Sequence, residues 1–223
     1  MIPFKDDNPT NSTPFVTVMI IAVNIVVFVL QAFSSRSGQE IAVAFGAIPQ
    51  QIIDVHSIQL LPAVMSVFTS MFTHGGLMHI GGNMLFLWIF GDNIEDVLGH
   101  CRFLVFYFFC GIVSAYAHAL ANPASNLPMI GASGAISGVL GAYILLFPYA
   151  RVNTLVFLGF FVQVIKIPAL IVIGFWAIIQ VLNGVLSQGG LPHGGIAWFA
   201  HVGGFFAGLL TIKLWLPRRF RRW

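Results

Sequence analysis

The chain has 223 residues, of which 58% are hydrophobic and 8% charged, against the roughly 25% charged usage of soluble globular domains. That composition excludes an ordinary water-soluble fold and describes an all-α, polytopic membrane protein with the lipid bilayer as its solvent. The formal net charge of +3 reflects where Lys and Arg fall along a membrane topology and gives no nucleic-acid-binding signal.

A hydrocarbon core of about 30 Å takes about 20 apolar residues to cross. The N-terminal tail, residues 1–14, is polar and acidic and lacks a basic stretch leading into an apolar one, so no signal peptide is expected. The first span is residues 15–33, and it stays in the mature protein. A long outer loop, residues 34–76, mixes Gly46, Pro49 and Pro62 with short apolar patches and is expected to fold onto the bundle. The second span is residues 77–98 and the third residues 103–120. Cys101 and Cys110 lie nine positions apart there, about 13 Å along a helix, too far for a disulfide.

The fourth span is residues 130–147. Residues 152–167 are too short an apolar run for a comfortable crossing and read as interfacial or re-entrant. The fifth span is residues 169–186, the sixth residues 198–216, and residues 217–223 form a basic tail. Six spans place both termini on one side. Lys5, Arg102, Arg151, Lys166, Lys213, Arg218, Arg219, Arg221 and Arg222 all fall on that side and only Arg36 on the other. The excess of Lys and Arg on cytoplasmic loops then makes the terminus side cytoplasmic. With no internal repeat and no separate soluble domain, residues 1–223 read as a single membrane domain.

Ser133 lies in Gly131-Ala132-Ser133-Gly134, near the first turn of the fourth helix, where unpaired amides and the positive end of the helix dipole favour an oxyanion. Gly131, Ser133, Gly134, Ser137, Gly138 and Gly141 equally suit close helix packing, and this run alone does not choose between the two. His201 is followed by Gly204 and Gly208, which share its helix face. Packing that face against Ser133, Ser137 and Gly141 brings a nucleophile within reach of a general base. No Asp or Glu follows Asp96, so a triad acid is missing and the chemistry reduces to a Ser-His dyad. The same absence excludes an aspartyl intramembrane protease, and no HExxH zinc motif occurs.

A third cluster runs from His74 to Asn83. His79 and Asn83 are four apart on one helix face. They can donate hydrogen bonds to a developing negative charge or tie helices together. A metal held by His74, His79 and His201 lacks a thiolate or carboxylate to complete it.

These residues resemble the rhomboid family of intramembrane serine proteases of bacterial type, over nearly the whole chain. His79-x-x-x-Asn83 with His74 before it, Gly131-x-Ser133-Gly134, and His201 with glycines at three and seven carry the resemblance, in order and on the expected helices. The resemblance implies a six-helix core in which Ser133 attacks a peptide carbonyl and His201 carries the proton. His79, Asn83 and the Ser133 amide would hold the oxyanion, and Gly131, Gly134, Ser137, Gly138, Gly204 and Gly208 would pack helices at the site. It further implies single-pass transmembrane protein substrates, no cofactor and no metal, and a site facing the periplasmic side of an inner membrane. Residues 187–197 would cap the site and the fifth helix, with Trp176, would gate it.

Two family features are absent. A Trp-Arg pair in the first loop aligns with Met65-Ser66, and a tyrosine that stacks on the histidine in some members is Ser137 here, so the orientation of His201 is left without a source. Two rival readings are a non-catalytic rhomboid-like protein that binds client transmembrane helices and a small-solute transporter. The inverted repeats of transporters are not apparent.

Overall fold

The computed structural model describes residues 2–54, 60–158, 161–187 and 196–217. In chain order the elements are β1 (Ile2–Asp6), α1 (Phe15–Ala32), α2 (Gly38–Phe45), α3 (Pro49–Ile53), α4 (Leu60–Ser70), α5 (Leu77–Leu98), α6 (His100–Ala121), α7 (Ser133–Leu146), β2 (Arg151–Leu158), β3 (Phe161–Pro168), α8 (Ala169–Ser187) and α9 (Trp198–Trp215). The bundle is a polytopic helical membrane fold built from α1, α5, α6, α7, α8 and α9. Of these, α1, α6 and α8 are each long and apolar enough to cross a membrane by length and composition.

The six helices alternate in direction. At one end Gln31 of α1 brackets the backbone of His74, giving its side-chain amide to the His74 carbonyl at 3.2 Å and accepting from the His74 N–H at 3.2 Å. At the other end Glu95 of α5, fully buried, accepts from the Val16 and Thr17 amides at 2.8 and 2.7 Å. Those amides belong to the first turn of α1, which has no intrahelical acceptors of its own. Asp96 accepts from Asn11 and Ser12 just upstream. The acids of α5 therefore cap α1 at the end away from the start of α5.

Glycine sets the centre of the bundle. A Cβ on Gly204 would overlap the Gly134 carbonyl, one on Gly208 the Gly138 carbonyl, and one on Gly141 the Phe205 carbonyl. Opposite, Gly134 and Gly138 leave room for Ser114 and Cys110 of α6. Backbones thus approach until only hydrogen fits between them, which is how membrane helices pack where apolar side chains gain nothing over lipid. Tyr107, Tyr143, Phe90, Phe103 and Phe106 fill the fully buried core toward the opposite end of the bundle.

Residues 152–167, expected to be interfacial or re-entrant, take extended structure. They form the β2–β3 hairpin, antiparallel in register from Arg151↔Pro168 to Leu158↔Phe161. Its run of Val, Ile, Thr and Phe favours extended chain. The N-terminal segment is not a loose tail either: β1 adds to β2, giving the order β1-β2-β3. Asp7 accepts from Lys166 Nζ at 2.8 Å and from Asn153 Nδ2 at 2.8 Å, and these bonds hold its carboxyl below the usual carboxylate range. The Tyr143 hydroxyl donates to Asp6, whose burial raises its carboxyl above that range.

The long outer loop folds onto the bundle as α2, α3 and α4. Ser37 and Glu40 form a capping box at the start of α2, and Ala47 pairs with Met129 across an isolated bridge. This ties the loop to the segment that leads into α7.

Candidate active site

The helix that carries Ser133 starts at Ser133 itself, three residues later than the apolar run suggests. Gly131 precedes it with φ +114°, backbone that side-chain-bearing residues rarely adopt, and its N–H donates to the Ser70 carbonyl at 2.8 Å. The turn delivers Ser133 to the first position of α7, where helix amides lack internal acceptors. The Ser137 hydroxyl donates to the Ser133 carbonyl at 2.6 Å, and Ser137 is wholly buried.

Gly131 is therefore not a helix-packing glycine like Gly134, Gly138, Gly204 and Gly208. It lies outside α7, and a Cβ there would stand 2.6 Å from His79 Nε2 and 3.4 Å from Asn83 Nδ2. Only hydrogen fits between the turn and those two side chains.

His201 lies in the first turn of α9, and its Nε2 is 2.8 Å from Ser133 Oγ. Its Nδ1 is 2.8 Å from Gln180 Oε1 of α8. An amide oxygen can only accept, so Nδ1 carries the proton and Nε2 offers its lone pair to the serine hydroxyl. Trp176 and Trp198 flank the ring, with centroids 6.0 and 6.3 Å away.

The second cluster is ordered in the same way. His74 Nδ1 lies 3.3 Å from the Phe72 carbonyl, which can only accept, so Nδ1 is the protonated nitrogen. Burial, helped by the proximity of His79, pushes the His74 imidazole down to about 4, so the ring is neutral and Nε2 accepts from Asn83 Nδ2 at 3.0 Å. His79 stacks edge-on against His74 at 5.2 Å. The Gly75 N–H points at His79 Nδ1 at 3.4 Å, which leaves Nε2 as the donor of a neutral ring, facing Gly131.

Two hollows adjoin the pair. One of about 30 Å³, lined by Ser70, Ser114, Gly131, Ser133 and Ala200 among others, lies behind the serine. The other, about 250 Å³ and apolar, runs between α8 and α9 past Trp176, Gln180, His201 and Phe205. Asp92, Glu95 and Asp96 end α5, and sixteen residues from His79 to Glu95 is about 24 Å of helix. Of the expected cap, residues 187–197, positions 188–195 lie outside the described residues, as do Arg218, Arg219, Arg221 and Arg222.

Gln180 and Trp198 join the site without belonging to any of the sequence motifs. The signal for Gln180 is its polarity: residues 169–182 are otherwise apolar, and a polar group inside a span is expensive unless it has a task. Nothing comparable marks Trp198, since aromatic residues are common near membrane interfaces.

Residues 62–218 match the family model of the Rhomboid domain. The chain is 33% identical over 151 residues to Rhomboid protein 1, mitochondrial, of Saccharomyces cerevisiae, covering 66% of this chain and 40% of that protein. It is 32% identical over 209 residues to Rhomboid protease GluP of Bacillus subtilis, covering 93% of this chain and 36% of that protein. It is 30% identical over 166 residues to RHOMBOID-like protein 1 of Arabidopsis thaliana, covering 74% and 38%. The matched region thus spans 36 to 40% of the length of these relatives. The chain belongs to the rhomboid family.

Proposed function

We propose that this chain is an intramembrane serine endopeptidase working through a Ser133-His201 dyad. The observation that carries the reading is the 2.8 Å approach of Ser133 Oγ to His201 Nε2, with the opposite ring nitrogen fixed as a donor by Gln180. Oγ attacks the peptide carbonyl carbon while Nε2 takes its proton. The carbonyl oxygen becomes an oxyanion beside the His79 and Asn83 donors and the Ser133 amide at the positive end of α7. Collapse breaks the C–N bond as the imidazolium returns its proton to the leaving amine. Water, deprotonated by the same nitrogen, then hydrolyses the acyl-serine and regenerates the hydroxyl. No metal or cofactor enters these steps.

Helix length supports an intramembrane substrate. The 14 residues of α7 span about 21 Å, short of the roughly 30 Å core. With the far end of α7 at one membrane surface, Ser133 is sunk about 9 Å below the other. Peptide bonds at that depth belong to transmembrane segments, and a helical segment must first unwind, because its carbonyls are engaged in internal hydrogen bonds. Single-pass proteins with helix-breaking residues near their membrane segment are the substrates that fit. Lys5, Arg102, Arg151, Lys166 and Lys213 sit at the end opposite Ser133. By the positive-inside rule this supports cytoplasmic termini in a bacterial inner membrane and a site toward the periplasm.

The test is labelling of the purified chain by a fluorophosphonate probe, with Ser133→Ala as control. Labelling of the wild type alone, together with cleavage of a single-pass substrate that the variant does not cut, is the expected result. Absence of both labelling and cleavage refutes the reading and leaves a protein that only binds client helices, and equal cleavage by Ser133→Ala refutes the role of Ser133.

A further inference from the structure

A dyad leaves one task without a residue. A neutral imidazole has two tautomers, and only the one with its proton on Nδ1 presents a lone pair to Ser133. The serine hydroxyl does not select between them, because it can donate to or accept from Nε2 alike. In a triad a buried carboxylate does the selecting. Here no Asp or Glu follows Asp96, and the acids of α5 lie about 24 Å of helix away.

We propose that Gln180 is the positioning residue of the dyad, holding His201 in its basic tautomer through the Nδ1–H···Oε1 hydrogen bond, a role that rests on the hydrolase reading above. Gln180 is 6% exposed, and its amide cannot turn round freely. Its Nε2 donates to the Trp176 carbonyl, one turn earlier in α8, at 3.2 Å. A flipped amide would set oxygen against that carbonyl and lose the Trp176 bond, so the orientation that keeps it presents Oε1 to His201 Nδ1. The helix backbone thus aims the acceptor, and the acceptor aims the imidazole. The Trp176 and Trp198 rings restrict the tilt of the imidazole but offer no acceptor for Nδ1–H. The choice of an amide over a carboxylate also fits the site, since burying a neutral amide costs far less than burying a charge. Activity then depends on an oxygen at this position and not on a negative charge.

Two variants of the full-length chain in detergent test this, read by the second-order rate of fluorophosphonate labelling and by kcat and KM on a single-pass substrate. Gln180→Met keeps the length and removes the acceptor. Its labelling rate and kcat should fall together by about 10- to 100-fold with KM within about twofold, since only a reactive orientation is lost. Gln180→Glu restores an acceptor oxygen at the same reach and should recover kcat to within about threefold of wild type. Wild-type labelling by Gln180→Met overturns the proposal. So does a Gln180→Glu variant as slow as Gln180→Met, which would show that the loss came from disturbed packing. Failure of the wild type itself both to label and to cleave would instead sink the hydrolase reading, and this role with it.

Discussion

Gly208→Ala is the sharpest probe of how packing sets chemistry in this fold, because it adds one methyl group far from any reacting atom. A Cβ at position 208 would overlap the Gly138 carbonyl oxygen and stand 2.6 Å from its carbon, whereas ordinary contact begins at 3.4 Å. Backbone cannot rotate aside as a side chain would, so α7 and α9 must part by about 1.5 Å to clear that oxygen, an overpacking cost of about 1–3 kcal/mol. His201 lies two turns up the same helix. If α9 moves as a rod, the 2.8 Å bond to Ser133 opens toward about 4 Å and ceases to be a hydrogen bond. Misplacement on that scale costs on the order of 100-fold in rate. The assay is cleavage of a fluorogenic transmembrane peptide in proteoliposomes, beside the thermal midpoint in detergent. Gly174→Ala serves as control, since its Cβ would meet only Ile144 Cδ1, at 4.0 Å. Expected are a loss of about 100-fold in kcat and a midpoint lowered by several degrees, with the control near wild type. Activity within about twofold of wild type in Gly208→Ala would refute the link from glycine contact to dyad geometry.

The oxyanion donors should show a different pattern. Asn83→Ala and His79→Ala should each lower kcat by about 100- to 1,000-fold, about 3 kcal/mol, with little change in KM; single-turnover kinetics check this, and a loss confined to KM would contradict it. Glu95→Ala removes the acceptor of two buried amides at the start of α1 and should cost about 2–4 kcal/mol of stability, seen as a lower thermal midpoint, while the fraction still folded keeps its kcat. Asp7 links β1 to β3 with its carboxyl held below the ordinary range, first by the Lys166 hydrogen bond and then by Asn153. A lowered folded value stabilises above the unfolded one, near 4, and that contribution is lost as pH falls through the folded value. Acidification below about pH 4 should therefore loosen the sheet in wild type, and hydrogen exchange at β1 should lose that acid dependence in Asp7→Asn.

The bundle was legible in the sequence because lipid imposes a simple rule on length and polarity, and the six apolar runs match the six long helices to within a few residues. The residues gathered at the candidate site were legible where spacing on one helix sufficed: His79 with Asn83, and His201 with Gly204 and Gly208. Gly131 falls outside α7 although the apolar run reaches back through Ile130, because hydropathy does not see a positive φ. The β2–β3 hairpin was hidden for a related reason. A run of Val, Ile and Phe suits a strand as well as a span, and the partner that settles it, β1, lies about 150 positions away. Gln180 depended on a tertiary contact between α8 and α9 that no local pattern encodes, so the orientation of His201 had no visible source.

The missing acid and the helix directions are two sides of one arrangement. Alternation of the long helices brings the N-terminal ends of α5, α7 and α9 to the same end of the bundle, and His79, Ser133 and His201 each sit in the first turn of one of them. Three positive helix ends converge on the point where the proposed acyl transfer would develop negative charge. A buried carboxylate there would interact with those poles in the resting state as well as in the transition state, and uniform stabilisation of both does not speed the reaction. A neutral acceptor such as Gln180 orients the imidazole without placing a charge at the site, so the field of the three helix ends acts mainly on the oxyanion. Gln180→Glu should therefore match wild type in tautomer control yet not exceed it in kcat, and a Glu variant tenfold faster than wild type would show that charge, and not orientation, limits the dyad.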